Sequence, residues 1–398
     1  YYTSLTIGPD GRLYAGVIDG SIVRFDIAAD GTLTSPSTIT TIPDHHAGAP
    51  RMLIGLAFVP GRPADDPQLL VSHSEFGFDG VGPVGAGHEG GKLTLLAGPN
   101  LSTARDLVVD LPRSYRDHLP NSLAFRGSDP RYAYLPMGAN TGMGAPDSGW
   151  GHRPETPLTA AVLRFDLDDL LARSSALDVS TGAGGGYDPF APGAAVTVFA
   201  SGIRNAYDLV WHTNGQLYVP TNGSAANGRV PSLADGASCA TRADGRTILG
   251  PIVAPDVVAA AQPDLLLRVE AGGYYGHPNV SRCEFVLNGG NPTDSVDPLE
   301  VVGYPVPTPP DPNYRGAIHD FGVSRSPNGA IEYRSPVFGG ALRGSLLVTR
   351  YSAGDDIVAL TPGGASNDAI AARAGIPGLS GFDNPLDLTE LVGPGLLY

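Results

Sequence analysis

The 398 residues are 42% hydrophobic but only 16% charged, enough to fill a core yet well short of the usual charged quarter. A formal net charge of −15, with Lys92 the only lysine, excludes a polyanionic partner such as nucleic acid or an anionic membrane surface. No apolar run is long enough to span a bilayer, and Gly 54 plus Pro 37, spread evenly, favour short turn-linked strands over long helices.

Along the chain one phrase recurs: an apolar run, a turn with Gly or Asp, then a Leu-Tyr-like pair opening a second strand. It reads first as Leu5-Thr-Ile-Gly-Pro-Asp-Gly-Arg-Leu-Tyr14, then as Leu56-Ala-Phe-Val-Pro-Gly61 leading to Leu69-Leu-Val-Ser72. Further copies are Leu123-Ala-Phe-Arg-Gly127 with Tyr132-Ala-Tyr134, and Leu209-Val-Trp-His-Thr-Asn-Gly-Gln-Leu-Tyr218. Looser ones run from Ser326 to Val348 and from Leu386 to Tyr398. Several continue into a third strand such as Ile22-Val-Arg-Phe-Asp26, Val162-Leu-Arg-Phe-Asp166 or Leu266-Leu-Arg-Val269.

A hairpin of this kind cannot bury both faces alone, so neighbours must stack. About six copies, roughly 40–70 residues apart, predict an all-β, six-bladed β-propeller with long inter-strand insertions; a pair of packed sheets is the alternative. The predicted blade cores are 3–27, 52–112, 119–170, 198–270, 326–362 and 384–398, one domain over 1–398. The last breaks off as its second strand begins, so either N-terminal residues complete it or a longer natural polypeptide is expected. Residues 172–195, 224–263 and 279–320 read as loops, and loops on a rigid scaffold are where specificity resides. Cys239 and Cys283 are the only cysteines. Without Cys-x-x-Cys spacing they suit a disulfide in an oxidising compartment, with two buried thiols as the alternative.

Four segments carry a resemblance: Leu53-Ile-Gly-Leu-Ala-Phe58 with Pro60 and Pro67; Asp117-His118 with Leu123-Ala-Phe125 and Gly138; Gly202-Ile-Arg-Asn-Ala-Tyr-Asp-Leu209 leading to Asn222-Gly223; and Asp264, Val269 and Gly272-Gly-Tyr-Tyr-Gly-His-Pro-Asn279. In this order they resemble the soluble glucose/sorbosone dehydrogenases, six-bladed quinoproteins that use pyrroloquinoline quinone (PQQ) and calcium. The resemblance implies His118 as the base that takes a substrate hydroxyl proton, chemistry suited to imidazole. It implies Arg204 as the clamp on the cofactor's reactive carbonyl, Asn205 as a cofactor-site hydrogen-bonder, and the carbonyls of Gly223 and Ser224 as calcium ligands. Arg350 is the residue placed to replace the family's cofactor-binding lysine.

Departures accompany it. Ala139 and Asn140 stand where the family has a carboxylate after the glycine. Pro50 and Arg51 stand where it has a glutamine. No late arginine pair lies near Asn384-Pro-Leu-Asp387.

The implied function is oxidation of a sugar, polyol or glycan-end hydroxyl by hydride transfer, in a secreted or periplasmic protein with an electron acceptor or neighbouring domain as partner. A non-catalytic propeller binding glycan or protein, with surface aromatics near Tyr274, Tyr304 and Tyr314, is the alternative from another class. A calcium-dependent lactonase built on Asn140, Asn205 and Asn222 is a third.

Other features read as structural. His277 precedes a proline in a turn, and His45-His46 lacks any partner at helical spacing. Asp294, Asp297, Asp355 and Asp356 read as solvated loop residues. The Asn-x-Ser/Thr matches at Asn100, Asn222 and Asn279 predict no glycosylation. Nucleophile-elbow, phosphate-loop and His-Glu-x-x-His motifs are missing, which sets aside serine hydrolases, kinases and zinc proteases.

Overall fold

The computed structural model describes residues 1–77, 89–182, 185–224, 227–231, 256–257, 261–284 and 313–398. Its strands fall into small antiparallel sheets in chain order. The first holds β1 (Tyr2–Ile7), β2 (Leu13–Val17), β3 (Ile22–Ile27) and β4 (Leu33–Ile39), followed by the short helix α1 (Thr41–His45). The second holds β5 (Arg51–Phe58), β6 (Gln68–Glu75), β7 (Gly91–Ala97) and β8 (Thr103–Leu111). In the third, β9 (Ala124–Arg126), β10 (Asp129–Met137) and β11 (Ala161–Asp166) precede helix α2 (Leu167–Ala172). Next along the chain, β12 (Leu177–Asp178) returns to pair in parallel with β8. The third sheet is then completed by β13 (Val196–Ser201).

The fourth sheet begins with β14 (Val210–Trp211) and β15 (Leu217–Thr221); after the small pair β16 (Arg229–Val230) and β17 (Asp256–Val257), it continues with β18 (Pro263–Val269) and β19 (His319–Val323). A fifth holds β20 (Pro327–Glu332), β21 (Leu346–Arg350), β22 (Asp356–Gly363) and β23 (Ala369–Arg373). The hairpin β24 (Glu390–Leu391) and β25 (Leu396–Leu397) ends the described chain.

The recurring turn works as its residues require. Between β14 and β15, His212 N donates to Gln216 O at 2.9 Å, and Gly215 takes φ of +84°, a conformation glycine enters without strain.

The period-two pattern puts alternate strand residues on opposite faces, and both faces are buried. On β6, Leu69 and Val71 join Tyr14, Ile22 and Leu53, whereas Leu70 joins Ala133, Leu135 and Leu163. On β10, Leu135 packs in that second cluster and Tyr134 with Leu217 and Val219. Tyr218 then faces Leu346 and Val348, and Leu347 faces Leu388 and Leu397. The second to fifth sheets are thus each sandwiched between predecessor and successor, so burial of these side chains, at roughly 1.5–3 kcal/mol each, depends on stacking. The two ends of the chain also touch: Leu5 N donates to Asp387 Oδ2 at 2.6 Å, and the Tyr398 hydroxyl donates to Gly31 O at 3.0 Å.

Two blade boundaries need correction. Val196–Ser201 pairs with β11 as the outer strand of the third sheet rather than opening the fourth. His319–Val323, which begins in the last two residues of the 279–320 loop and lies outside every predicted blade core, closes the fourth sheet. The loop expected over 172–195 contains β12. Most of 224–263 and 279–320 lies outside the described residues, as do Cys239, Asp294, Asp297 and Tyr304. Cys283 is buried and disulfide-bonded, and no thiol among the described residues is free. No described helix is long and apolar enough to cross a membrane.

Candidate functional site

His118 is set by a tight turn. Ser114 N donates to His118 O at 2.9 Å, and the Ser114 hydroxyl accepts from His118 N at 3.0 Å. The segment can pass across the end of β10 because residue 138 is glycine. A Cβ there would lie 2.5 Å from His118 Cβ and 3.0 Å from Asn205 Oδ1. One residue on, Ala139 O lies 2.9 Å from His118 Nδ1. A carbonyl only accepts, so Nδ1 carries the proton and Nε2 keeps its lone pair. The ring is 3% exposed; burial, helped by the charge of Arg204, holds it well below its ordinary pKa and hence neutral.

A tryptophan covers this imidazole. Trp150 ends a single 3-10 turn, Ser148–Trp150, capped by Asp147, whose Oδ1 accepts from Trp150 N at 3.0 Å. Its ring lies 4.4 Å from that of His118, tilted by 46°. The guanidinium carbons of Arg204 and Arg116 lie 5.6 and 5.7 Å from the indole centroid, within cation–π range.

Arg204 is brought there by the strand exchange after Gly202, with Ala139 N donating to Arg204 O at 2.8 Å. Two of its five donors are committed: Nε to Gly142 O at 2.7 Å and Nη1 to Gly223 O at 3.0 Å. Burial lowers its pKa. Asn205 lines the same junction, but its Oδ1 already accepts from Asn121 Nδ2 at 3.1 Å. The two carbonyls expected to hold calcium are likewise engaged. Gly223 O accepts from Arg204, and Ser224 O from Gln262 N at 2.7 Å.

Arg350 stands apart, on β21, forked onto Asp356 at 2.7 and 2.6 Å. That pairing also makes Asp356 a buried partner rather than a solvated loop acid. Tyr274, expected at the surface, is 1% exposed, because its ring packs on Gly202 and its hydroxyl donates to Gly276 O.

Two site residues had escaped the sequence reading. Trp150, one of two tryptophans, sits in a Gly-rich loop, and that rarity was the available signal. Glu155 had none. It is buried, and its carboxylate accepts from Asn140 N (3.1 Å), Thr141 N (3.0 Å), Thr141 Oγ1 (2.5 Å) and His277 Nε2 (3.1 Å). Burial pushes its pKa up, but hydrogen bonds from His277 and Thr141 outweigh this and keep it ionised below the ordinary range. Burial lowers the His277 pKa, so that ring is a neutral Nε2–H donor. The carboxylate missing after Gly138 thus arrives from seventeen residues downstream of that glycine, yet it holds the loop backbone rather than His118.

The unpaired atoms indicate what the site takes. Asn140 Oδ1 and Asn222 Oδ1 are buried acceptors without a hydrogen-bond partner. Asn140 follows the residue that holds His118, and Asn222 precedes the one that holds Arg204. PQQ carries three carboxylates and asks for free cationic donors. Among the described residues Arg350 is spent on Asp356, and Arg204 gives two of its five N–H donors to backbone carbonyls. One partly committed guanidinium facing three carboxylates is a poor fit to PQQ.

Comparison with known proteins supports the fold. The computed structure resembles PQQ-bound aldose sugar dehydrogenase from Streptomyces coelicolor (TM-score 0.55, 14% identity, covering 97% of this chain and 84% of that one). It also resembles the holo PQQ domain of pyranose dehydrogenase from Coprinopsis cinerea (TM-score 0.54, 12% identity, 100% and 89%). A calcium structure of a family AA12 carbohydrate-active enzyme from Trichoderma reesei is similar to the same extent (TM-score 0.55, 15% identity, 100% and 89%). A family model described as strictosidine synthase-like, N-terminal, matches residues 4–25. No curated protein matches by sequence. At these identities the likeness is one of fold.

Proposed function

We propose that the stacked sheets close into a six-bladed propeller, and that the His118 end of its axis binds a neutral polyhydroxylated ligand: a sugar, a polyol or a glycan end. Closure is supported by the successive stacking of the sheets from the first to the last hairpin and by the Leu5–Asp387 and Tyr398–Gly31 hydrogen bonds between the chain ends. The observation that carries the ligand reading is the pair of bare acceptors, Asn140 Oδ1 and Asn222 Oδ1, on the residues next to Ala139, which holds His118, and Gly223, which holds Arg204. Sugar hydroxyls donate to such oxygens, and the C–H face of a pyranose packs on an aromatic ring. Similar folds act on related chemistry, among them aldose and pyranose dehydrogenases.

Oxidation of the bound hydroxyl is the second reading, favoured by one observation: the neutral His118 Nε2 lies beside Arg204, a base next to a fixed positive charge. The two readings separate in one experiment. Titration with a panel of monosaccharides and polyols, read by tryptophan fluorescence, is expected to saturate without added cofactor. Reconstitution with PQQ and calcium is expected to give neither stoichiometric quinone nor dye reduction; turnover would establish the second reading instead. A secreted or periplasmic setting accords with the predicted disulfide and stays part of this proposal.

A further inference from the structure

Far from His118, the end of α1 meets the middle of the second sheet. His45 closes that helix and His46 follows it, and Asp106 projects from β8. Their ligating atoms all lie within 4.8 Å of one another, with His45 Nε2 3.4 Å from Asp106 Oδ1. His46 Nε2 is buried and has no hydrogen-bond partner, an arrangement that costs free energy unless something fills it.

The carboxylate is oriented by an ordered relay. Arg51 Nε donates to His73 Nδ1 at 3.0 Å, so His73 carries its proton on Nε2 and donates to Thr94 Oγ1 at 2.8 Å. The Thr94 hydroxyl proton then goes to Asp106 Oδ1 at 2.7 Å, while Lys92 Nζ holds Oδ2 at 2.5 Å. Outer partners of this kind fix metal-binding carboxylates.

We infer that His45, His46 and Asp106 form a binding site for a borderline divalent cation of the zinc class. Two imidazoles and one carboxylate select zinc or its first-row neighbours over calcium, which prefers all-oxygen shells. Three protein ligands leave the fourth position to water. Tetrahedral zinc needs ligand atoms about 3.3 Å apart; His45 Nε2 and Asp106 Oδ1 already lie at 3.4 Å, and all three atoms lie within 4.8 Å of one another. The sequence hides this site because its carboxylate is sixty residues from its histidines, on another sheet.

The test uses the whole chain with Zn2+ in equilibrium dialysis and Co2+ as a spectroscopic probe. The expected result is one metal per chain and the intense visible absorption of four-coordinate Co2+. Both should be lost in His46→Ala and weakened at least tenfold in His45→Ala. Thr94→Val should weaken binding by about tenfold through misorientation of Asp106. His45 is exposed, so its variant keeps the fold and circular dichroism confirms it. Absence of stoichiometric metal at millimolar concentration, equal binding of Ca2+, or binding unchanged by both histidine variants would overturn the assignment.

Discussion

The imidazole of His118 and the indole of Trp150 lie 4.4 Å apart, centroid to centroid, joining residues from two loops that flank β10. One ring supplies a neutral nitrogen base, and the other an aromatic surface with the guanidiniums of Arg204 and Arg116 within cation–π range.

Trp150→Ala should therefore weaken sugar or polyol binding at least tenfold, equivalent to about 1.4 kcal/mol of lost stacking and hydrogen-bond positioning. Only Trp150 and Trp211 are present, and Trp211 lies under Arg126, 4.9 Å from its guanidinium carbon. The ligand-dependent fluorescence change should vanish in Trp150→Ala and persist in Trp211→Phe, and a titration of both variants checks this.

Glu155→Gln should destabilise the fold by about 2–4 kcal/mol, because a buried carboxylate satisfying four donors is replaced by an amide with one acceptor oxygen. Urea unfolding measures the loss. The depressed pKa of Glu155 means that its contribution is present above the unfolded value near 4.3 and is lost as pH falls through the folded one.

Two further carboxyls act in the opposite sense. Burial raises Asp208 to about 6, and burial plus the neighbouring Asp208 charge raises Asp387 well above the ordinary range. Their stability contribution is complete below about pH 3.9 and declines as pH rises toward the folded values. The buried histidines His73, His118 and His277 all have lowered values, so their contribution exists above about pH 6.5 and is lost below it. Maximum stability is expected near neutral pH, with stability falling toward acid as the buried histidines must take up protons on unfolding. Thermal unfolding across pH checks the shape, and Asp387→Asn should flatten the alkaline decline.

Leu347→Ala tests the stacking of sheets. Leu347 is fully buried between the fifth sheet and the last hairpin, and its truncation should cost about 2–5 kcal/mol in chemical denaturation. An equal loss should follow Leu70→Ala on β6, which is buried against the third sheet.

The strand rhythm was legible because it is local: each Gly or Asn turn lies between two apolar runs a few residues away. Outer strands such as Val196–Ser201 and His319–Val323 were harder, since each follows a long insertion and takes its place only by pairing with an earlier strand. At the candidate site, His118 and Arg204 were singled out through the motifs that carry them. Their partners were not, because the 140–160 loop folds back across Gly138, and nothing in the order of residues announces that Glu155 will hold Asn140 or that Trp150 will cover His118. The commitments of Gly223 O, Ser224 O and Arg350 are also tertiary. A motif gives a residue its place, and only the packed structure shows whether its donors and acceptors are still free.

The most direct test of the central claim is a parallel titration of the purified chain with PQQ plus calcium and with a neutral sugar panel, followed by Trp150 fluorescence and bound-quinone absorbance. Saturable sugar binding with no retained quinone is the predicted result. One tightly held quinone per chain, reducing dye when sugar is added, would contradict it.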